Sequence, residues 1–146
     1  MIRIALVSLI LMAPSPARSE YRVASIPSFC LVGDRWEMAA DNGGDILSYK
    51  QAFDSIEGTG LEVRVKDMCA SACTMVLRNP RACAEKNAMF GFHQAQSGMK
   101  DSKSGDAPRG TNLVWAQYPE HVRARLGQLT PEMVYIKGTE LLPACP

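Results

Sequence analysis

The chain lacks a strong charge of either sign. Its 146 residues carry 16 Lys and Arg against 15 Asp and Glu, a formal net charge of +1. A near-neutral chain has no cationic surplus to neutralise phosphates, which argues against nucleic-acid binding driven by backbone charge. It also lacks any apolar run approaching the roughly 20 residues that cross a bilayer. Histidine is scarce, with 2 in all, His93 and His121. No aspartate follows Asp106, and no internal repeat is visible.

What is there begins with a leader. Arg3 supplies a positive start, Ile4 to Met12 form a short apolar stretch, and Ala17-Arg18-Ser19 offers small residues at a cleavage position. This pattern reads as a secretory signal peptide over residues 1–19, with a mature chain starting at Glu20. Its removal takes away Arg3 and Arg18 and no acid, so the formal charge falls by two from +1 to −1. The expected location is periplasmic or secreted, with no membrane attachment after cleavage. Residues 20–146 are enough for one domain with a modest core.

All 5 cysteines, Cys30, Cys69, Cys73, Cys83 and Cys145, lie in the mature part. In an oxidising compartment disulfides are their default state, and an odd count leaves one thiol over. The spacing leaves the pairing open. The expectation taken here joins the ends, Cys30 to Cys145, with one further bridge among Cys69, Cys73 and Cys83.

Periodicity places the elements. Phe29 to Val32 reads as a short strand. Asp41-Asn42-Gly43-Gly44 is a turn signal. Ile46, Tyr49, Ala52, Phe53 and Ile56 recur at helical spacing, and Gly58 and Gly60 end that helix. Leu61, Val63 and Val65 then alternate with Glu62, Arg64 and Lys66, the mark of a strand with one polar face. Small residues 70–72 lead into a buried helix through Leu77, stopped by Asn79-Pro80. Cys83 to His93 reads as a turn and a second strand. The stretch 94–110 is polar and reads as a mobile loop. Leu113 to Leu126 reads as helical with a break at Pro119. Thr130 and Pro131 predict the start of a last short helix, with Gly138 behind it. The order strand–helix–strand–helix predicts an α/β domain. The strands at 61–66 and 88–93 are expected to be parallel neighbours, with the helix near Ser71 as their crossover.

Ser71 and His93 carry the chemistry. Ser71 lies between two cysteines in Cys69-Ala70-Ser71-Ala72-Cys73. His93 ends the apolar run Ala88-Met89-Phe90-Gly91-Phe92. A serine hydroxyl is a poor nucleophile until a base takes its proton, and histidine is the side chain suited to that at neutral pH. A small-residue turn bearing serine, then a strand ending in histidine, builds such a pair from sequential elements. The plainer readings are a small packing residue at 71, a core histidine at 93 and an ordinary turn at Gly43-Gly44. His121, beside Glu120 and Arg123, reads as solvated.

The stretch Asn42 to Ala95 resembles the core of the Clp protease proteolytic subunit and the wider Clp/crotonase superfamily. Four parts occur in order. They are Asn42-Gly43-Gly44 before an amphipathic helix, the strand entering a small-residue turn, Ser71 opening a buried helix, and Arg81 followed by Asn87 to His93 and Gln94. The cysteines around Ser71 and the Gly-Phe-His run are most similar to exported bacterial relatives. The resemblance implies a compact α/β core of parallel strands and crossover helices. It implies a serine peptidase-like hydrolase with Ser71 as nucleophile and His93 as base. It implies an oxyanion site from the Gly43-Gly44 turn and Ala72, whose donors are the N–H groups of Gly44 and Ala72. The implied partner is a peptide or protein substrate, with a homo-oligomer or a site-completing partner as a further expectation. No cofactor is implied. The family's third catalytic residue is an aspartate well beyond the histidine. Here only Glu140, Glu132 and Glu120 stand in that region, and Glu140 is the choice taken. The chain is also shorter than the family's enzymes.

Two other functions fit the residues. One is a non-catalytic binding or assembly module that kept the scaffold. The other is a zinc site from Cys69, Cys73, Cys83 and His93, a donor set suited to tetrahedral zinc.

Overall fold

A computed structural model describes residue 26, residues 28–96 and residues 108–146. The signal peptide expected over residues 1–19, the expected mature start at Glu20 and most of the polar stretch 94–110 lie outside the described residues. Within them the chain is a mixed α/β unit with parallel and antiparallel strands.

Strands β1 (Phe29–Val32) and β2 (Arg35–Met38) form an antiparallel hairpin. Helix α1 (Ile46–Gly58) follows and buries Tyr49, Ala52, Phe53 and Ile56, the positions its spacing predicts. Asp45 caps it by accepting the Ser48 N–H at 2.8 Å, which satisfies one of the donors left open at a helix start. Strand β3 (Glu62–Val65) runs parallel to β2, with Val63 and Val65 fully buried. Its polar face is laced by ion pairs, Arg64 with Glu62 at 3.2 Å and Lys66 with Glu37 at 3.1 Å.

The chain turns at Lys66-Asp67 and enters a second sheet as β4 (Met68–Ala70). A 3-10 helix, Ser71–Arg78, buries all of Ala72 to Leu77. A helix buried on every side needs apolar residues all round, and Thr74 is the polar exception. The return path is β5 (Ala82–Ala84), a turn closed by Ala88 N–H to Glu85 O at 3.0 Å, and β6 (Met89–Phe92). Helices α2 (Pro108–Gln117) and α3 (Glu120–Leu126) break at Tyr118-Pro119, as the proline predicts. Strand β7 (Val134–Lys137) closes the second sheet against β6.

The first sheet has the order β1-β2-β3-β5 and the second β4-β6-β7. This corrects one expectation. The segments 61–66 and 88–93 are not direct neighbours. β3 pairs in parallel with β5, and β4 pairs in parallel with β6. Both paths bend between the sheets, so the Ser71–Arg78 helix is the crossover for two parallel pairs. A second correction concerns 131–138. Pro131 and Gly138 suit helix ends, but Val134-Tyr135-Ile136 is a strand-forming run. Pairing with β6 wins, and only Gly138–Glu140 is a helical turn.

The disulfides are Cys69–Cys73 and Cys83–Cys145, and Cys30 is a free thiol. The expected Cys30–Cys145 bridge is thereby overturned. Cys30 lies on β1 at the sheet edge. Cys145 instead runs beside β5, with Ala84 N–H to Pro143 O at 2.9 Å and Cys145 N–H to Ala84 O at 3.0 Å. The Cys83–Cys145 bridge spans a separation of 62 residues and the Cys69–Cys73 bridge only 4. Loop-closure entropy assigns them about 4 and about 2 kcal/mol. Replacing Cys83 and Cys145 together by serine should therefore lower the denaturation midpoint more than replacing Cys69 and Cys73. Equal midpoints for the two double variants would contradict this.

Candidate active site

Ser71 follows β4 directly. It is the one non-glycine residue at positive φ among the described residues, with φ 56°. That left-handed conformation costs an L-residue about 1–2 kcal/mol. Strain of this kind persists only where the surroundings over-determine it, and here three constraints meet. The Cys69–Cys73 disulfide brackets the turn. Thr74 donates from Oγ1 to Ser71 O at 2.6 Å, and its hydroxyl also meets the Tyr118 hydroxyl at 2.6 Å. Gly43 closes the third side.

Gly43 has φ 81°, and a Cβ placed there would lie 2.6 Å from Ala70 O, 2.7 Å from Ser71 Cβ and 2.8 Å from Ala72 N. Only glycine allows the 43–44 loop to lie this close to the serine turn. The Gly43 N–H donates to Asp41 Oδ1 at 2.7 Å, so it is already engaged. Gly44 is exposed, and its N–H has no partner among the described residues. As the second residue of its helix, Ala72 has no intrahelical acceptor for its N–H.

His93 follows β6 and is half-buried. β4 and β6 are parallel, with Ala70 opposite Gly91. Ser71 and His93 therefore leave the same end of adjacent strands, which lie about 4.8 Å apart. Gly91 keeps this region tight, since a Cβ there would lie 3.0 Å from Met133 Sδ, 3.0 Å from a Tyr135 ring carbon and 3.1 Å from Ala70 Cβ. The main chain beyond His93 is anchored on both sides. Gln94 N–H donates to Thr130 O at 2.8 Å and Ala95 N–H to Thr111 Oγ1 at 3.0 Å. Neither the Ser71 hydroxyl nor the His93 ring is hydrogen-bonded to another described residue.

Glu140 is not brought to this end. β7 runs antiparallel to β6 with Met89 opposite Lys137, and Gly138 N–H donates to Ala88 O at 2.7 Å. Glu140 thus lies beyond the start of β6, about 13 Å of strand away from His93. There it pairs with Arg125 at 3.1 Å. Glu132 precedes β7 at the His93 end, because Val134 faces Phe92. The zinc reading is overturned, because Cys69, Cys73 and Cys83 are all held in disulfides. No group of three His, Cys, Asp or Glu residues suited to a metal occurs among the described residues. His121 is exposed, as expected, with Nε2 3.0 Å from Leu141 O.

Sequence reasoning missed Asp41, Tyr49, Thr74 and Tyr118 as parts of the site's frame. Asp41 had a signal. An Asp two residues before Gly43 is the pattern in which a side-chain oxygen takes the later N–H. Burial, and next the Asp41 carboxylate, push the Tyr49 hydroxyl well above its ordinary pKa of 10.0. Burial does the same for Tyr118, against the opposing Thr74 hydrogen bond. A folded-state pKa raised in this way means the unfolded chain loses its protons first. The stability is complete below about pH 10 and falls as pH rises toward the folded-state range. Thermal melts between about pH 8 and pH 11 should show this loss in wild type and less of it in Tyr49→Phe. A melting temperature flat across that range would contradict it.

No family model matches the chain, and no curated protein matches it. Among solved structures it is similar to one called only an enzyme, with TM-score 0.43 and 10% identity over 65% of this chain and 59% of that one. It is also similar to a peptidase from Plasmodium falciparum, with TM-score 0.43 and 12% identity over 74% of each chain. At that similarity neither bears on the chemistry of the site.

Proposed function

We propose that the chain is an exported serine hydrolase with a Clp/crotonase-like core, acting on a peptide or protein. The observation that carries this reading is the strained Ser71 turn at the strand end beside the one that delivers His93. A nucleophile held on a sharp strand-to-helix turn presents its hydroxyl outward. His93 takes the Ser71 proton as the hydroxyl attacks a carbonyl, and later gives it to the leaving amine. The N–H groups of Gly44 and Ala72 hold the oxyanion, each such donor being worth about 3–4 kcal/mol of barrier. Gly43 serves as the close-packed hinge of that loop and not as a donor. Of the late acids, Glu140 is engaged by Arg125, and Glu132 lies at the His93 end of β7 without a hydrogen bond to the His93 ring.

Export is supported by the leader pattern and by two disulfides. No helix among the described residues is long and apolar enough to cross a membrane. The test is reaction of the mature protein with a fluorophosphonate, read by intact mass and by mapping the adduct to Ser71. A second reading, the non-catalytic binding or assembly module, draws on the absence of aspartate after Asp106 and on the engagement of Glu140 with Arg125. A folded protein whose Ser71 stays unmodified would establish that reading instead.

A further inference from the structure

We infer that Asp41 is the positioning residue of this site: its buried carboxylate gathers three donors and so holds the Gly43-Gly44 loop against the Ser71 turn. The inference rests on the reading of Ser71 as nucleophile for its catalytic consequence, though not for its geometry. Asp41 is 7% exposed. Oδ1 accepts the Gly43 N–H at 2.7 Å and the Tyr49 hydroxyl at 2.6 Å, and Oδ2 accepts the Ser28 hydroxyl. The donors come from three places: the chain just before β1, helix α1, and the loop itself. The Asp41 main chain is tied to β4 as well, its N–H donating to Met68 O at 2.7 Å and its carbonyl accepting the Ala70 N–H at 2.8 Å.

The consequence follows along the chain. The carboxylate turns the Gly43 N–H inward. With that N–H fixed and φ at 81°, Gly43 packs on Ala70, Ser71 and Ala72. The next N–H, that of Gly44, is left outside, with no partner among the described residues. Asp41 thus decides which loop amide is consumed and which is offered to a substrate oxygen, with no hydrogen bond of its own to Ser71 or His93. A carboxylate is suited to this because it accepts at both oxygens and donates at neither, so all three donors are satisfied at once.

The test compares Asp41→Ala, Asp41→Asn and wild type by hydrogen exchange at the Gly43 amide and by fluorophosphonate reaction rate, on protein shown to be folded. Loss of a charge-assisted bond should speed Gly43 exchange in Asp41→Ala by about ten- to a hundred-fold, with α1 amides unchanged. The amide side chain of Asp41→Asn keeps an acceptor oxygen for Gly43 and offers an N–H to Ser28, so this variant should restore most of the protection. The rate of Ser71 modification should follow the same order. A folded Asp41→Ala with wild-type Gly43 exchange would overturn the inference. If Asp41→Ala does not fold, Ser28→Ala with Tyr49→Phe leaves the carboxylate tied to Gly43 alone. Gly43 exchange should then rise, and unchanged exchange would equally overturn the inference. Absence of Ser71 modification in wild type would end the hydrolase reading, while the exchange data would still decide the role of Asp41.

Discussion

Ser71→Ala should abolish fluorophosphonate modification and lower any hydrolysis by at least about a thousand-fold. His93→Ala should do nearly the same, and the double variant should be no worse than either single one, since the two groups act as one unit. Stability separates this reading from a packing role. Alanine at 71 inherits the φ of 56° and loses only a hydroxyl with no partner among the described residues, so its stability should stay close to wild type. Glycine at 71 relieves the strain. The expected gain is about 0.5–1 kcal/mol once glycine's extra unfolded-state entropy is subtracted. An inactive Ser71→Gly that melts higher than wild type would mean that the strain is kept for function. Full hydrolysis in Ser71→Ala would end the nucleophile assignment. The remaining acid is separately testable. Glu140→Gln should leave the rate unchanged, because the Glu140 carboxylate pairs with Arg125 at the opposite end of the strand from His93.

Much of the frame was legible where the local signal was long. The helix at 46–58 spans enough turns for its apolar stripe to be unambiguous, and Val63 and Val65 alternate cleanly. The turn at Ser71 and the buried helix after it were visible as small residues followed by an apolar run. The bends between the two sheets were not, because β4 and β5 hold 3 residues each, too few for a period to register. β7 was masked by local chemistry, Pro131 and Gly138 both suiting helix ends, and only its pairing partner decides it. The disulfide pairing depends on which strand the C-terminal segment joins, which no spacing encodes. Asp41 read as a turn residue because its partners, Ser28 and Tyr49, are distant in the chain or on another element. Distance along the chain favours Glu140, while the antiparallel course of β7 carries it to the end of the sheet away from His93.

Gly43→Ala should damage both the fold and the site. Two costs add. The left-handed φ of 81° strains any residue with a Cβ, at about 1–2 kcal/mol. The Cβ also meets Ala70 O, Ser71 Cβ and Ala72 N at 2.6–2.8 Å. Two of those three atoms are main chain, so the contact cannot be relieved by a rotamer change. Overpacking of this kind costs about 1–3 kcal/mol, and the sum predicts a loss of about 2–4 kcal/mol in all. Gly33→Ala isolates the first cost. Gly33 has φ 66°, but a Cβ there meets nothing within 4 Å, so about 1 kcal/mol is expected. Chemical denaturation of both variants measures the difference. The Gly43 variant should also lose Ser71 reactivity in its folded fraction, because the loop can admit the methyl only by drawing away from the serine turn. The Gly33 variant should keep full reactivity. Equal destabilisation by the two substitutions, with Ser71 reactivity intact in both, would mean that the close approach of residue 43 to Ser71 is not what shapes the site.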